Sequence, residues 1–574
     1  MPPSDPVSAK TMSKPTNGGK HPAVASVVSA VLLYTTFPPA DWGWLAWIAL
    51  VPLFLLIPSR RPARSIYLGA WAGGFVFWIM AIQWVRLSDE SAWLGWLTMA
   101  TVLSFFWPAF IALARLAYFR LRLPLMIAAP VTWVALEYSR AYFMTGFPWY
   151  YLAHSQHLVL PVIQISDVTG SLGVSLLIAV VNAWFVDLLT LPLLRPTSRG
   201  TRLTLSQTIR LVATLIMVCV TLIYGTVRLG RARFRDGPRI ALLQSSLIQR
   251  LENPKEAKQS KESMTAEELL TVYERLIARA LRNDPKPDLI VWPETSYPYG
   301  MVDLAPGLEI ATLERQLRDR RINISATERQ TQRANILEQL HSLTDVAGVP
   351  MLVGTLYSEH RRDGFSKYNA AVLFQPKSPD IQVFHKWHLV PFGEYVPLIE
   401  TFPWLTVFTP YSNGFVPSLA FGRDSKPLMM GQFKIATAIC FEDTVPQAVQ
   451  RFFGDGSATE PDVLLNMSND GWFHGSEEHD MHLAVSVFRA VEHRVPLARA
   501  ANTGVSAIID GNGRVLAALP KLKEEVLSGI IPLDDRTGLY SRLGDWLGQG
   551  CLAVTIGLIP LSYLRRGRTN PGVS

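Results

Sequence analysis

Three cysteines in 574 residues are too few for a disulfide framework. Two of them, Cys219 and Cys551, sit in long apolar runs, which leaves Cys440 as the one thiol in a polar setting. Charge is scarce as well: 17% of residues are charged against 49% hydrophobic. That balance is too apolar for an ordinary soluble enzyme, and the chain is too long for one core, so at least two differently built regions are expected. The net charge of +8 is gathered on no single segment. Lys and Arg stand in short groups beside apolar runs, which argues against a nucleic-acid partner and for a membrane. The opening MPPSDPVSAKTMSKPTNGGKH lacks the compact charged start and small-residue cleavage site of a removed secretion signal. Residues 1–21 are therefore expected to be a disordered leader before a retained anchor.

Apolar sequence is what the chain has in abundance. Eight segments approach the ~20 mainly apolar residues that a helical crossing needs: 22–38, 42–58, 66–86, 92–117, 124–143, 161–193, 208–229 and 544–563, the first two being the shortest. With the N-terminus and its Lys10, Lys14 and Lys20 in the cytoplasm, the inner loops are SRRPARS, RLAYFRLRLP, LRPTSRGTRLTLSQTIR and the tail RRGRTN, all basic. The outer loops are FPPADW, without Lys or Arg, VRLSDESAW, where Asp89 and Glu90 outweigh Arg86, and the segment 138–161, with Arg140 alone. The expected organisation is a seven-helix transmembrane bundle over 22–231, an outward-facing domain over 232–543, and a last crossing with a basic cytoplasmic tail over 544–574. Trp42, Trp44, Trp84, Trp93, Trp96, Trp149, Tyr150 and Tyr151 fall where interfaces are expected, and GAWAG (69–73) has small residues spaced for close helix contact.

Residues 238–532 read differently. Short β-rich runs occur at 239–244, 288–294, 350–357, 369–375, 381–387, 434–441, 462–468, 496–502, 504–510 and 514–519. They alternate with helices at 265–283, in pieces over 307–346, and at 477–494; in the first, Leu269, Tyr273, Leu276 and Ala280 form one stripe. GNG (511–513) reads as a hairpin turn and the polar 315–335 as a solvated helix. The alternation predicts a layered α/β domain and leaves strand order open.

Three strands end in a reactive side chain followed by irregular sequence: Glu294 in LIVWPETSYP, Lys386 in FHKWHLVPFGEYVP and Cys440 in TAICFEDT. Sites gather at such ends, where a rigid sheet holds groups from remote parts of the chain together. A thiol is a poor nucleophile until a base takes its proton, which Glu294 could do. Attack on an ester or amide carbonyl then puts negative charge on oxygen, which the Lys386 ammonium could stabilise.

WPE, K-x4-PFGE, CFE and SNDGWF in this order resemble the nitrilase superfamily, which implies a Glu-Lys-Cys triad in an αββα sandwich. With the multi-pass region, VTWVALEYSR (131–140), GFPWYYLAHSQ (146–156) and 482–515, the whole chain resembles that superfamily's membrane-embedded branch, the apolipoprotein N-acyltransferases. The resemblance implies transfer of an acyl chain from a phospholipid to the α-amine of a diacylglyceryl-cysteine apolipoprotein, at the periplasmic face of a bacterial inner membrane, by a monomer needing no cofactor or metal. It implies Cys440 as nucleophile, Glu294 as base and Lys386 at the oxyanion, with Glu394, Phe441 and Glu442 in support, and Trp292, Tyr395, Asn469 and Trp472 toward substrate. Two departures stand out: Phe441 where the family commonly has Tyr, and QSSLIQRLENP (244–254), with Asn253 near a usual Trp.

His474, His479 and His482 with Glu477, Glu478 and Asp480 match no familiar zinc spacing and are expected to be polar support. Arg489, Glu492, Arg494 and Arg499 are expected to form ion pairs behind the site. A membrane-tethered amidase would use the same triad with water as acceptor, but one helix suffices for a tether. A transporter would draw on Glu137, Asp167 and Asp187 in the bundle and leaves the triad unexplained. Residues 400–420, apolar and Pro-containing, are expected at the membrane surface, gating entry.

Overall fold

The computed structural model describes residues 21–192, 194–197, 200–247, 264–409, 416–453 and 460–567. The leader, most of the 244–254 departure with Asn253, residues 410–415 of the expected gate and the end of the basic tail lie outside the described residues.

Four helices among the described residues are long and apolar enough to cross a membrane: Trp93–Arg120, Ser171–Thr190, Leu205–Gly230 and Trp546–Leu564. The count of about eight is thus met in part. Segment 22–38 yields only the helix Pro22–Tyr34, whose 13 residues span about 20 Å at 1.5 Å per residue, short of a ~30 Å hydrocarbon core. Segment 42–58 breaks into the short turns Gly43–Leu45, Ala46–Ala49 and Val51–Phe54, the last with Pro52 in its first turn. Leu125–Arg140 has Pro130 inside it and the charged Glu137 and Arg140 near its end. Segment 161–193 starts as two single turns, Leu160–Ile163 and Ser166–Thr169, before Ser171–Thr190 runs unbroken. The small residues of GAWAG do serve close packing. A Cβ on Gly69 would lie 2.7 Å from the backbone of Pro22 and Ala23, and one on Gly73 2.5 Å from Ser26, so these glycines let Ala63–Ala81 cross Pro22–Tyr34 at backbone contact.

Among the described residues the α/β part holds thirteen strands, here β1 (Phe234–Gln244), β2 (Leu289–Val291), β3 (Met301–Leu304), β4 (Met351–Arg361), β5 (Gly364–Phe374), β6 (Ile381–His385), β7 (Leu428–Met430), β8 (Phe433–Ile439), β9 (Val463–Ser468), β10 (Leu497–Ala501), β11 (Ala507–Ile509), β12 (Val515–Ala518) and β13 (Glu525–Asp534). One sheet has the order β13-β1-β2-β4-β5-β6 with β3 on β4, the other β12-β11-β10-β9-β8-β7. Neighbouring strand residues point to opposite faces, and the burial follows that rule. Ile240, Leu242, Leu289, Val291 and Leu352 share a core with Ile435, Val463 and Leu465 of the second sheet. Their neighbours Ala241, Leu243, Ile290, Trp292 and Met351 pack instead on Tyr273, Leu276, Ile336 and Leu340 of the helices Ala266–Ala280 and Ala326–Ala347. Beyond the second sheet lies the helix Glu478–His493, whose Val485, Phe488 and Val491 continue the core into the bundle. The layers are helix, sheet, sheet, helix, which is the expected αββα sandwich.

Both outer helices open on a capping box, Thr265 with Glu268 and Ser325 with Glu328. The polar 315–335 accordingly forms the end of Ile310–Asp319 and the start of Ala326–Ala347, docked through Leu313, Leu317 and Ala326. Short β3 and β7 and the long β13 had no counterpart in the sequence reading. The GNG turn joins antiparallel β11 and β12, with Gly513 at φ 79°.

The sandwich is welded to the bundle by buried charge. Asp167 accepts from Arg494 Nη2 at 2.7 Å, Arg228 Nε at 2.8 Å and the Tyr224 hydroxyl at 2.7 Å. Glu492 takes the amide of Ser171 at 2.8 Å and pairs with Arg489. Asp167 is thus an anchor near helix ends, and so are Arg489, Glu492 and Arg494.

Candidate active site

Four strand ends converge between the sheets. Glu294 lies three residues past β2, Lys386 directly follows β6, Cys440 directly follows β8 and Asn469 directly follows β9. The turn carrying Glu294 rests on β4 because position 354 is glycine: a Cβ there would stand 2.0 Å from the Pro293 carbonyl oxygen. Ser296 and Tyr297 donate their amides to the Gly354 carbonyl at 2.9 and 3.0 Å, fixing that turn.

Lys386 is 1% exposed and stands between two carboxylates. Its Nζ donates to Glu294 Oε1 at 3.1 Å and to Glu394 Oε1 at 3.0 Å. Asn369 of β5 bridges the same two oxygens, donating Nδ2 to Glu294 at 2.7 Å and to Glu394 at 2.8 Å. Glu294 Oε2 accepts the amide of Asn469 at 2.9 Å, and Glu394 Oε2 that of Val390 at 2.8 Å. Each carboxylate is therefore oriented by a backbone amide and a side-chain amide. Burial would lower the Lys386 pKa, but Glu294 and Glu394 outweigh it and hold the ammonium above its ordinary range. Asn369 escaped the sequence reading, although an amide inside the apolar run NAAVLF is itself a signal that a buried polar partner exists.

Cys440 opens a 3-10 turn, Cys440–Thr444, with φ at 52°. A left-handed conformation at a non-glycine residue is uncommon and turns the chain sharply off β8. Asn466 Nδ2 holds the Cys440 carbonyl at 3.0 Å. Burial pushes the thiol well above its usual pKa, the Glu294 charge adds to that, and Lys386 opposes it. The thiol is thus kept protonated at rest, beside a carboxylate and an ammonium.

Glu442 ties the nucleophile's turn to the lysine's loop. It accepts Ile439 N at 2.7 Å through Oε2, and Trp387 N at 2.7 Å and His388 N at 3.0 Å through Oε1. Burial raises its pKa to about 7 against those bonds. Phe441 lays its ring on His388, centroids 5.7 Å apart. Glu394, Phe441 and Glu442 are therefore brought to the three strand-end groups.

The residues expected toward substrate divide. Trp292 is not at the site: it is fully buried on the outer face of the first sheet and stacks on Tyr273 at 4.4 Å. Asn469 is buried too, its backbone on Glu294 and its Oδ1 on Asn502 Nδ2 at 2.9 Å, so it orients the carboxylate. Tyr395 is half-buried, edge-on to Phe421 at 4.9 Å, and hydrogen-bonds Thr145 of a bundle loop. Trp472 lies half-buried in the turn Asp470–Phe473, next to Phe473, which packs on Trp84 of the bundle at 4.8 Å.

Behind Cys440 is a second buried network. Arg499 donates to Asp470 Oδ2 at 2.7 Å, to Asn466 Oδ1 at 2.8 Å and to His482 Nδ1 at 2.7 Å. His482 Nε2 then faces Asp443 Oδ1 at 2.7 Å, and Ser486 donates to Asp443 Oδ2 at 2.6 Å. Ser468 donates to Asp470 Oδ1. Asp470, Glu478 and His479 lie within 4.8 Å of one another. Asp470 is held by Arg499 and Ser468 and His479 Nε2 lies 2.9 Å from the Asp470 carbonyl, while His479 Nδ1 and Glu478 Oε2 have no hydrogen-bond partner among the described residues. His474 is exposed in a left-handed turn after this segment.

Residues 29–184 match the apolipoprotein N-acyltransferase N-terminal domain, and residues 239–539 the carbon-nitrogen hydrolase family. The apolipoprotein N-acyltransferase of Geobacter metallireducens is 32% identical over 557 residues, covering 94% of this chain and 95% of that one. That of Rhodopirellula baltica is 27% identical over 554 residues, covering 91% and 94%. Among solved structures, a CN-hydrolase superfamily protein from Xanthomonas campestris aligns with 59% of this chain and 99% of its own, at 14% identity and a TM-score of 0.31.

Proposed function

Because the chain belongs to the apolipoprotein N-acyltransferase family, within the carbon-nitrogen hydrolases, we propose that it moves a fatty acyl group from a phospholipid to the N-terminal amine of a diacylglyceryl-cysteine apolipoprotein through a thioester on Cys440. The observation that carries this reading is the Lys386 ammonium, 3.1 Å from Glu294 and 3.0 Å from Glu394, beside a protonated thiol in a sandwich welded to apolar helices.

Glu294 takes the thiol proton as sulfur attacks the ester carbonyl. Lys386 and the amide of Phe441, second in the turn that Cys440 opens and so without an acceptor within it, receive the oxyanion. The ester C–O bond breaks and the proton on Glu294 passes to the departing lysophospholipid hydroxyl. In the second half the lipoprotein amine attacks the thioester, Glu294 takes the amine proton, the C–S bond breaks and Cys440 is re-protonated. Glu394 shares Lys386 with Glu294 and, with Asn369, keeps the ammonium in place.

The substrates reach the site laterally from the bilayer. Residues 22–231 form the bundle, with about eight crossings in all, the shorter helices included. Residues 232–543 face the periplasm of the inner membrane, both termini are cytoplasmic, and a monomer suffices, since all the named groups come from one chain. Leu398, Trp404 and Val407 present exposed apolar surface, and Phe408 packs on Phe392 with its carbonyl near Gly95 of the bundle, which suits a gate at the interface.

Mass spectrometry of enzyme incubated with phospholipid alone tests the reading. The expected result is one acyl mass on the peptide containing Cys440, lost on hydroxylamine treatment and absent in Cys440→Ser. No adduct, or free fatty acid released at the rate of phospholipid loss without acceptor, overturns it; the second outcome is that of a hydrolase.

A further inference from the structure

Strands β4 and β5 run on past the catalytic carboxylates, and their inner face turns cationic there. Their register is unbroken from Met351 opposite Phe374 to Arg361 opposite Gly364, so paired residues share a face and every second residue returns to it. Leu352 and Leu373 place that face in the inter-sheet core, and Asn369, opposite Leu356, meets Glu294 and Glu394 on it. The next two pairs on the same face are Lys367 with Ser358 and Phe365 with His360. His360 lies against the Phe365 ring, centroids 4.9 Å apart. Its Nε2 accepts from Arg329 Nε at 3.4 Å and its Nδ1 donates to Gln316 Oε1 at 3.0 Å, the bonding of a neutral imidazole. Arg329 is 8% exposed, and its other contact is Nη1 to Gln332 Oε1 at 2.8 Å, so both its partners are uncharged. Lys367 is half-buried, and its ammonium makes no hydrogen bond or ion pair among the described residues. Burial and the Arg329 charge both push its pKa down. Glu359, between Ser358 and His360, points to the opposite face, where Arg361 takes it at 3.0 Å. Two cations are thus held beside the site without a carboxylate, which is costly for the empty protein.

We propose that Lys367 and Arg329 form an anion subsite that takes the phosphate of the acyl donor's headgroup. Lys367 and His360 are diagonal neighbours across β4 and β5, ~7 Å apart, so the ammonium and the guanidinium that bonds His360 converge on one place. A phosphodiester has one negative charge and two free oxygens, and each cation supplies a charged donor to it: the Lys367 ammonium, and Arg329 Nη2, which neither His360 nor Gln332 uses. The separation from the reacting centre suits a glycerophospholipid. The step from Asn369 to Lys367 is two residues along a strand, about 7 Å, and in the lipid the glycerol carbons set phosphate and ester a few bonds apart. A cavity of about 360 Å³ over Phe365, lined also by Gln316, Asp319, Arg320 and Gly364, has room for the rest of the headgroup. The subsite also tells donor from acceptor. A diacylglyceryl-cysteine carries the same two glycerol esters and no phosphate, so only the donor has its ester held over Cys440, and the phosphate departs with the lysophospholipid. The proposal deepens the acyl-transfer reading above and rests on it for the identity of the donor.

The test is calorimetric binding to the full-length Cys440→Ser enzyme in detergent. The probes are dihexanoylphosphatidylglycerol, dihexanoylglycerol, which keeps both esters and lacks the phosphate, and inorganic phosphate. Lys367→Met, which keeps the stem and removes the charge, is expected to weaken dihexanoylphosphatidylglycerol about tenfold and to leave dihexanoylglycerol unchanged. Lys367→Arg is expected to hold the phospholipid affinity. Because Lys367 has no partner to lose, the melting temperature of Lys367→Met should match the parent or exceed it. Should that variant fail to fold, Lys367→Gln against Lys367→Arg gives the same contrast. No binding of the phospholipid by the parent, no weakening by Lys367→Met, or equal weakening of both lipids would each overturn the proposal, the last being the mark of a structural lysine. Inorganic phosphate bound as tightly as the phospholipid would overturn it too, as a site for the free ion. Calorimetry needs no acyl transfer. Phospholipid that binds with this dependence on Lys367 but leaves no adduct on Cys440 would therefore retain the subsite and overturn only the thioester reading.

Discussion

At the scale of single residues, the site is governed by two acids sharing one base. Removing Lys386 leaves Glu294 and Glu394 buried, bridged by Asn369 alone. Lys386→Met is expected to lower stability by about 3–5 kcal/mol, the usual cost of orphaning a buried charge, and to abolish adduct formation. Lys386→Met/Glu394→Gln is expected to regain much of the melting temperature and none of the adduct. Melting curves and adduct mass spectra on the same samples check both. Glu442 gives a pH prediction with a definite sign. Its folded pKa of about 7 lies above an unfolded value of roughly 4.3, so folding binds a proton between those values. The stability it contributes is full below about 4.3 and is lost as pH rises through about 7, on the order of 3 kcal/mol. Glu442→Gln should accordingly show a smaller drop in melting temperature between pH 5 and pH 8 than the parent; an equal drop counts against Glu442 as the titrating group. Glu294, Lys386 and Cys440 were legible because each follows a strand that the sequence marks plainly. Trp292 was misassigned although the same strand answers it: Leu289 and Val291 face the inter-sheet core, so Trp292, like Ile290, faces the helices. Asn369 was not legible as a partner, because its contacts reach Glu294 and Glu394 from a distant strand, whereas Arg499 makes the ion pair expected of it behind the site, with Asp470.

At the scale of elements, strand-like runs and one helical stripe carried the reading of the sandwich, while apolar length marked the segments of the bundle without marking their breaks. A run of apolar residues marks depth in the membrane or in a core but says nothing of continuity, and Pro52 and the Gly170 junction divide what hydropathy joins. Strand β13 was missed because EVLSGIIPLD contains Gly and Pro, yet it pairs along all of β1, shifting register at Ile530 and Pro532. Glycines in the bundle differ in kind, and that is testable. Gly73→Ala puts a Cβ 2.5 Å from Ser26, where backbone as well as side chain must give, so the helix pair Pro22–Tyr34 and Ala63–Ala81 should loosen and the melting temperature fall. Gly557 in Trp546–Gly567 has nothing within 4 Å of an added Cβ, and Gly557→Ala should be neutral or stabilising by up to about 1 kcal/mol through helix propensity. Matching losses in both variants would mean that close helix approach is not what Gly73 provides.

At the scale of the whole molecule, orientation follows from how the sandwich is hung, whatever the number of shorter crossings. It is entered from the Gly230 end of Leu205–Gly230 and left through the Trp546 end of Trp546–Gly567, and Asp167, Arg228 and Arg494 clamp it at that same level. If both helices cross, Leu205 and Gly567 emerge together on the opposite face, where the flanking sequence is basic: Arg195, Arg199 and Arg202 before the first helix, Arg565, Arg566 and Arg568 at the end of the last. On that condition the rule that basic loops stay cytoplasmic would put the clamp and the candidate site outside, the orientation proposed above. Cysteines introduced singly at Ser206 and Ser88, in a chain whose native cysteines are replaced, separate the cases. A membrane-impermeant maleimide added to intact spheroplasts should label Ser88→Cys and spare Ser206→Cys until the cells are opened. The reverse pattern would put the sandwich in the cytoplasm; labelling of both in intact cells would mean that Leu205–Gly230 does not span. The clamp itself makes this arrangement more than a tether. Asp167→Asn leaves Arg494, fully buried, without its carboxylate and should slow acylation from phospholipid vesicles more than tenfold. Iodoacetamide, a small water-soluble probe, should react with Cys440 nearly as before if the clamp serves only to hold the sandwich on the bundle.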